Sequence, residues 1–304
     1  MDQITVSIFL LTYNQEQFIA QTINSILMQK ANFNFQIVIG EDCSTDGTRS
    51  ICETFAEKYS NKIKLLPALE KNIGLIANYM RTIKACEGKY IAICDGDDYW
   101  IDENKLQKQV SFLEDNPNYS IVYSKLKKLF PDGTFKESIQ RKLKQAGDFD
   151  DLVFENVIPS VTVLFRNRQN ISAVPTWITN FPYGDWPTYL WILKDGGKIH
   201  FMDEITAVYR MHIGVSAQVR KSSSNTLLVN LGILKCIWND SGFHHKKSIV
   251  LRAIQKLEVG LMTSYNREKQ YLKALKQYIF NLRQETLNFK LTRLYLYSIY
   301  KSVA

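Results

Sequence analysis

Apolar and polar positions alternate along most of the chain in two repeated kinds of segment. Short runs of β-branched and apolar residues, bounded by turn residues, predict buried strands. Segments with apolar residues at helical spacing separate these runs, as in Phe18, Ile19, Ile23, Ile26 and Leu27. This repeated alternation is typical of βαβ units, and therefore predicts an α/β fold with a mostly parallel central sheet flanked by helices.

The pattern assigns each element to a range of residues. We predict strands at residues 4–12, 35–40, 63–66, 89–94, 119–124, 160–166, 198–202 and 204–210. We predict helices at residues 16–29, 48–59, 75–86, 102–113, 148–156 and 183–196.

The last quarter of the chain has a different pattern. A polar, serine-rich loop covers 211–225, and from Thr226 the apolar spacing is helical to the C-terminus, with breaks near 241–242 and 264–266. We therefore predict two regions, an α/β domain at 1–225 and a helical C-terminal appendage at 226–304.

The net charge of +8 is concentrated in this C-terminal region. Residues 241–304 carry 12 Lys and Arg against 3 Glu, or +9, so the first 240 residues sum to 8 − 9 = −1. Because the tail's tyrosines and leucines fall at helical spacing, we predict no nucleic-acid partner. Three interpretations of the tail stay open: contact with an anionic membrane surface, packing on the α/β domain, or contact with a second subunit.

The cysteines and the N-terminus indicate a compartment. The five cysteines are odd in number and show no CxxC spacing, which favours free thiols and argues against a zinc site. Met1–Ile4 lacks the basic stretch of a secretory signal, and no run approaches the ~20 apolar residues of a membrane span. We expect a cytoplasmic protein, with the inner face of the plasma membrane as its place if the tail binds lipid.

Three aspartates follow a single predicted strand. Asp95, Asp97 and Asp98 come directly after the apolar run 90–94. Clustered carboxylates repel one another unless a cation or solvent relieves them. We predict a site for Mn²⁺ or Mg²⁺ that holds a diphosphate; the alternative is a solvated acidic loop with a helix cap.

Two other strand ends carry polar groups. At the first, Tyr13 could stack on a nucleobase while Thr12 and Asn14 hydrogen-bond to it; the alternative is an ordinary turn. At the second, Glu41 and Asp42 could accept hydrogen bonds from uracil or ribose; the alternative is that acids simply favour a helix N-terminus. Since the carboxyl ends of parallel strands meet at one edge, the three sites should converge.

These motifs resemble those of the family 2 glycosyltransferases of the GT-A fold, and in particular those of the bacterial polysaccharide type. The resemblance is carried by Ile8–Asn14, Glu41–Thr48 and Asp95–Trp100, in that order and spacing. The usual second motif reads Asp-Asp-Gly-Ser-Thr-Asp, so Glu41 replaces its first aspartate and Cys43 its glycine.

The resemblance covers about residues 4–215 and implies a Rossmann-like sheet, a nucleotide-sugar donor that is usually a UDP-sugar, and metal-dependent inverting transfer to a glycan or lipid-linked glycan. It implies that Tyr13 and Asp42 contact the base, that Asp95 and Asp97 contact ribose and metal, and that Asp98 lies near the metal or the sugar.

The resemblance also assigns roles to two later segments. Asp185, flanked by aromatic residues at a predicted helix start, matches the place where this family carries its general base; the alternative is a plain N-cap. Arg210 and His212 match a segment that closes over the donor, where Arg can neutralise phosphate and imidazole can complete a Mn²⁺ sphere. The alternative for His212 is a surface residue.

Two other function classes stay open at this point. A nucleotidyltransferase would need a Gly-rich basic loop after the first strand, which Thr12–Glu16 does not provide. A non-catalytic sugar-nucleotide-binding or scaffold protein would keep the fold but lack the base or the metal ligands, and all the expected carboxylates are present.

Overall fold

The computed structural model describes residues 4–137, 146–167, 173–211, 213, 222–284 and 289–303. The chain forms two compact units, Met1–Gly214 and Val215–Ala304. The division into functional domains at 1–225 and 226–304 stays a prediction.

The first unit is built on one sheet. Its strands in the described residues are β1 (Val6–Thr12), β2 (Phe35–Glu41), β3 (Ile63–Leu65), β4 (Tyr90–Ile93), β5 (Tyr99–Trp100), β6 (Tyr119–Leu129), β7 (Phe135–Glu137), β8 (Leu164–Arg166) and β9 (Lys198–Arg210). Its helices are α1 (Ile19–Leu27), α2 (Thr48–Lys58), α3 (Leu75–Lys84), α4 (Lys105–Asp115), α5 (Phe149–Leu152) and α6 (Asp185–Leu193).

The strands lie in the order β3-β2-β1-β4-β8-β6-β9-β5, with β7 paired to β6. The pairs β3–β2, β2–β1 and β1–β4 are parallel, β8 is antiparallel to both neighbours, and β6 and β9 are parallel. Strand β6 is antiparallel to β8, and β8 is antiparallel to β4, so β6 runs in the same direction as β4. Strands β1, β2, β3, β4, β6 and β9 therefore all run in one direction. The predicted mostly parallel α/β sheet is therefore confirmed.

Burial explains why β1 and β4 stand out in the sequence as apolar runs. All seven residues of β1 and all four of β4 are buried, as expected for strands covered by helices on both faces. Helix α1 buries Ile19, Ile23 and Ile26 against this core at helical spacing.

The second half of the sheet differs from the sequence prediction. The predicted strand at 160–166 is a 3₁₀ turn over Ser160–Thr162 followed by the short β8. The two strands predicted at 198–202 and 204–210 are the single strand β9, which pairs with β6 through several register shifts. The helix predicted at 148–156 ends at Leu152.

The second unit is helical. It contains α7 (Ser223–Asn239), α8 (Lys247–Arg267), α9 (Tyr271–Gln284) and α10 (Phe289–Val303), with a 3₁₀ helix over Ser241–Lys246. Helix α8 continues through 264–266, where the sequence predicted a break, because Ser264, Tyr265 and Asn266 are buried against its neighbours. No helix in the described parts of either unit has the length and apolarity to cross a bilayer.

Candidate active site

The predicted motifs meet at the carboxyl edge of the parallel strands. Strand β1 lies between β2 and β4, and such a reversal of strand order opens a crevice in α/β sheets. Thr12 is in register with Glu41. The backbone amide of Asp42 donates to Thr12 O at 3.1 Å, and that of Gly96 donates to Leu11 O at 2.8 Å. The three motifs therefore form one site.

The loop after β1 is fixed by the loop after β2. Asn14 has a left-handed backbone with φ +50°, which Asn tolerates better than most residues. Its amide donates to Ser44 Oγ at 2.9 Å, and its side-chain Oδ1 accepts from the Thr45 amide at 2.8 Å. Tyr13 beside it is 43% exposed. This arrangement gives Asn14 a structural role and leaves the Tyr13 ring at the surface of the crevice.

Glu41 and Thr12 are buried at this edge. Glu41 accepts a hydrogen bond from the Ser44 amide at 2.6 Å and forms an ion pair with Arg49 at 3.8 Å. Thr12 Oγ1 donates to Gln15 Oε1 at 2.8 Å. Glu41 therefore stabilises the turn after β2, and its carboxylate faces protein groups.

The buried Asp42 carboxylate organises a neighbouring loop. Its Oδ1 accepts from the amide of Ile73 at 2.9 Å, and its Oδ2 accepts from the amide of Gly74 and from Asn72 Nδ2, both at 3.0 Å. Gly74 has φ +86°, a conformation that favours glycine. The sequence identified residues 72–74 only as a turn; their contact with Asp42 needs the long-range pairing of strands.

The acidic loop after β4 packs tightly against β1. A Cβ on Gly96 would lie 2.4 Å from Gln15 Oε1 and 2.9 Å from Thr12 Cβ, so only glycine fits between Asp95 and Asp97. Burial and the charges of Asp97 and Asp185 raise the pKa of Asp95 to about 7. Burial also raises the pKa of Asp97.

The third aspartate points inward. Asp98 is buried, and its Oδ1 accepts from the backbone amide of Arg210 at 2.9 Å. Its Oδ2 is buried and has no hydrogen-bond partner among the described atoms. Burial and the neighbouring Asp97 raise the pKa of Asp98 well above its usual value. Asp98 thus joins the acidic loop to the end of β9.

Arg210 strengthens the same junction. Its guanidinium donates to the backbone carbonyl of Asp97 and to the side chain of Gln21. It lies between two aromatic rings, with its central carbon 4.6 Å from the centroid of Phe18 and 4.8 Å from that of Tyr99. The sequence could not indicate this sandwich, because its members come from three separate segments. Arg210 therefore holds the loop that carries Asp97.

Asp185 is the first residue of α6. Asn156 Nδ2 donates to its Oδ2 at 3.0 Å, which fixes the rotation of the carboxylate. A Cβ on the preceding Gly184 would lie 2.7 Å from the ring of Tyr79, so this glycine lets α6 approach α3. The charge of Asp185 contributes to the raised pKa of Asp95, so the two carboxylates are close enough to interact.

The described residues contain no group of three or more His, Cys, Asp and Glu side chains arranged to hold a metal ion. His212 lies outside the described residues. The carboxylates fit a cation nonetheless: burial raises the pKa of both Asp95 and Asp97, the charge of Asp97 raises that of Asp95 further, and a bound cation would offset both effects. Mg²⁺ in nucleotide sites is usually bound by one or two carboxylates together with substrate phosphates.

Several residues of the site escaped the sequence analysis. Asn156 contacts Asp185, Ser160 Oγ donates to Asp95 Oδ2 at 3.3 Å, and Arg81 donates to Glu41 O at 2.9 Å. None of them lies in a recognisable motif, and each reaches the site only through tertiary packing.

A family model for glycosyl transferase family 2 matches residues 7–171. The chain belongs to this family. A putative teichuronic acid biosynthesis glycosyltransferase of Bacillus subtilis, TuaG, is 28% identical over 240 residues, or 77% of this chain and 92% of the relative. Relatives from Mycobacterium that are 33% identical align over 68% of this chain, and the alignment spans only 59% of their own length.

Two solved structures have folds similar to that of this family 2 glycosyltransferase. S. aureus TarS 1–349, solved in complex with UDP, has a TM-score of 0.65 and 21% identity, covering 99% of this chain and 88% of that one. A mannosyltransferase from Pyrobaculum calidifontis, solved with GDP-Man and Mn²⁺, has a TM-score of 0.62 and 15% identity, covering 99% and 81%. These likenesses confirm the predicted GT-A fold.

Proposed function

We propose that this family 2 glycosyltransferase moves a sugar from a UDP-sugar to a hydroxyl of a glycan or lipid-linked glycan, with inversion, in cell-surface polysaccharide synthesis. The observation that carries the proposal is the convergence of the three strand-end motifs at one edge of the sheet, where Asp97 and Asp185 lie close enough to Asp95 to raise its pKa. The name of the Bacillus relative supports the polysaccharide acceptor, and the UDP bound to TarS supports the donor.

Asp95 and Asp97 would hold Mn²⁺ or Mg²⁺ together with the donor diphosphate, and His212 would be a further ligand. When bound, the cation supplies charge stabilisation to the leaving diphosphate. The charged forms of both carboxylates are disfavoured by burial, and that of Asp95 also by Asp97, so each would gain a positive partner in this arrangement.

Asp185 would act as the general base. The acceptor oxygen attacks the anomeric carbon, the bond from that carbon to the diphosphate oxygen breaks, and the acceptor proton passes to Asp185. The hydrogen bond from Asn156 orients the carboxylate for this transfer. A single displacement of this kind inverts the anomeric centre.

The remaining donor contacts follow the strand ends. Tyr13 would stack on the uracil from its exposed position, and Asp42 would line the base pocket beside residues 72–74, which its buried carboxylate holds in place. Thr12, Asn14 and Glu41 would shape the base pocket through the hydrogen bonds that they make within the loops. Asp98 and Arg210 would support the diphosphate side by fixing the acidic loop.

The test is release of UDP from a panel of UDP-sugars with Mn²⁺ or Mg²⁺, with and without candidate acceptors. Asp185→Asn should lower acceptor-dependent transfer by roughly 100-fold or more, because removal of a general base costs a factor of about 10²–10⁴. Donor affinity should not change. Asp115→Asn, at the exposed end of α4, is the matched control and should behave as wild type.

Loss of donor affinity in Asp185→Asn would assign this aspartate a structural role and contradict the proposed base. Asp97→Ala should weaken metal-dependent UDP binding, and equal binding by this variant and wild type would contradict the metal assignment.

A further inference from the structure

Helices α9 and α10 of the second unit pack side by side on α8. Their inner faces are buried through Ala274 and Leu291, and Asn266 Nδ2 donates to Ser298 Oγ at 2.7 Å. The two helices meet along a seam where the rings of Tyr278 and Tyr295 stack with centroids 4.4 Å apart. Each helix therefore has one face committed to the unit and an opposite face toward solvent.

The solvent face of each helix carries a stripe of exposed apolar side chains. Leu272 is 78% exposed, Phe289 is 85% exposed and Val303 is 73% exposed. Helical geometry places residues seven apart on one face, so Phe289, Leu296 and Val303 form a single stripe along α10. On α9, Leu272, Leu275 and Ile279 are three and four residues apart and form a second stripe on one face. We name the two stripes together the outer stripe; its members are Leu272, Leu275, Ile279, Phe289, Leu296, Tyr300 and Val303.

The charge of this surface has one sign. Helices α9 and α10 contain six basic residues and no acidic residue, and all six basic residues are exposed: Lys273, Lys276, Arg283, Lys290, Arg293 and Lys301. Three of them lie four residues after a member of the outer stripe, Lys276 after Leu272, Arg283 after Ile279 and Arg293 after Phe289, so they project from the same face.

We propose that the outer stripe binds an anionic lipid surface. Apolar side chains edged by Lys and Arg are the combination by which amphipathic helices bury one face at a lipid headgroup boundary. A second copy of the chain fits poorly, because a two-fold contact would bring the six cations of these helices against the same six cations of the other copy, and neither helix contains an acidic residue. A nucleic-acid phosphate backbone would neutralise the cations but would leave the aliphatic side chains in water.

The test is flotation of the full-length protein with phosphatidylcholine vesicles, with and without phosphatidylglycerol, at low and high salt. Binding is expected only to the anionic vesicles and should fall with salt. Replacing Lys276, Arg283 and Arg293 together by Gln should weaken it by roughly 100-fold, given the attraction of each basic residue to an anionic surface.

The matched control removes three charges from the exposed Lys58, Lys84 and Lys136 of the first unit, and should bind as wild type. A second variant, with Leu272, Phe289 and Leu296 changed to Ser, should lose binding even at low salt. Because these side chains are exposed, helix content by circular dichroism should stay unchanged in all variants.

Equal binding by the outer-stripe charge variant and its control would overturn the proposal. So would a dimer in sedimentation equilibrium that the Ser variant abolishes, since that outcome would assign the surface to a second copy. Neither result depends on the transfer reaction, because the inference uses only residues of the second unit.

Discussion

Arg210 offers the sharpest test of how the site is held. Its guanidinium lies between Phe18 and Tyr99 and donates to the backbone of Asp97 and to Gln21. In the Arg210→Lys variant the positive charge remains, but the planar fork that stacks and donates in two directions is lost.

The magnitude follows from these contacts. A buried cation over an aromatic ring contributes about 1–2 kcal/mol, and a hydrogen bond from a charged donor contributes about 1.5–3 kcal/mol. Lysine can keep one hydrogen bond and one partial ring contact, so we expect a loss of about 2–4 kcal/mol in the local stability of the acidic loop. A change of about 1.4 kcal/mol is tenfold in affinity, so the nucleoside diphosphate should bind at least about tenfold more weakly.

Arg166→Lys is the matched control. Arg166 is also buried, donates to Tyr119 O at 2.7 Å, and lies 5.5 Å from the ring centroid of Tyr90 at the opposite end of β4 from the acidic loop. The Arg166→Lys substitution should lower the denaturant concentration at the unfolding midpoint about as much as Arg210→Lys does, while leaving nucleotide binding unchanged. Calorimetric titration of UDP with Mn²⁺ would measure the affinities. If both variants bind UDP as wild type does, Arg210 does not position the acidic loop and the reasoning fails.

The remaining predictions concern the same edge of the sheet and one half-buried histidine. In metal-free protein the raised pKa of Asp95 means that the folded state still holds a proton that the unfolded state has lost. The free energy of unfolding should therefore fall as pH rises from about 4 to 7. The Asp95→Asn variant should flatten this part of a profile of unfolding free energy against pH, and an unchanged slope would refute the assignment. Gly96→Ala should weaken UDP binding measured by calorimetry, because its Cβ would displace Gln15 and Thr12; unaltered affinity would show that the loop yields without cost. The ring of His200 stacks on Phe112 with centroids 3.8 Å apart, and burial lowers the pKa of this histidine. The free energy of unfolding should therefore fall as pH drops below about 6.5, where the unfolded imidazole takes up a proton. The thermal unfolding midpoint of His200→Gln should lose this pH dependence; if the dependence remains, another group titrates.

The sequence predicted the half of the sheet in which local pattern and tertiary environment agree. Strands β1, β2 and β4 are buried on both faces, so each reads as an apolar run, and the polar residues that end β1, β2 and the acidic loop stand out against it. The chemistry of the site could therefore be predicted from three short segments.

The other half of the sheet could not be delimited in this way. Strand β6 continues to Leu129 through a run that contains three lysines, and β9 is continuous from Lys198 to Arg210. Each strand is completed by pairing with the other across about 80 residues of chain. The local strand propensity of a segment does not indicate a pairing partner that lies far away in the chain. The short β8 likewise exists because β4 and β6 lie on either side of it.

The sequence by itself determined the fold class, the family and the identity of the carboxylates, because these depend on periodicity and on motifs that are local in the chain. Only the tertiary structure decided what the carboxylates do: Asp42 organises residues 72–74, Asp98 joins the acidic loop to β9, and Asp185 is oriented by Asn156. The physical reason is that hydrogen bonding, burial and charge coupling act through space, between residues about 30 to 110 positions apart in the chain.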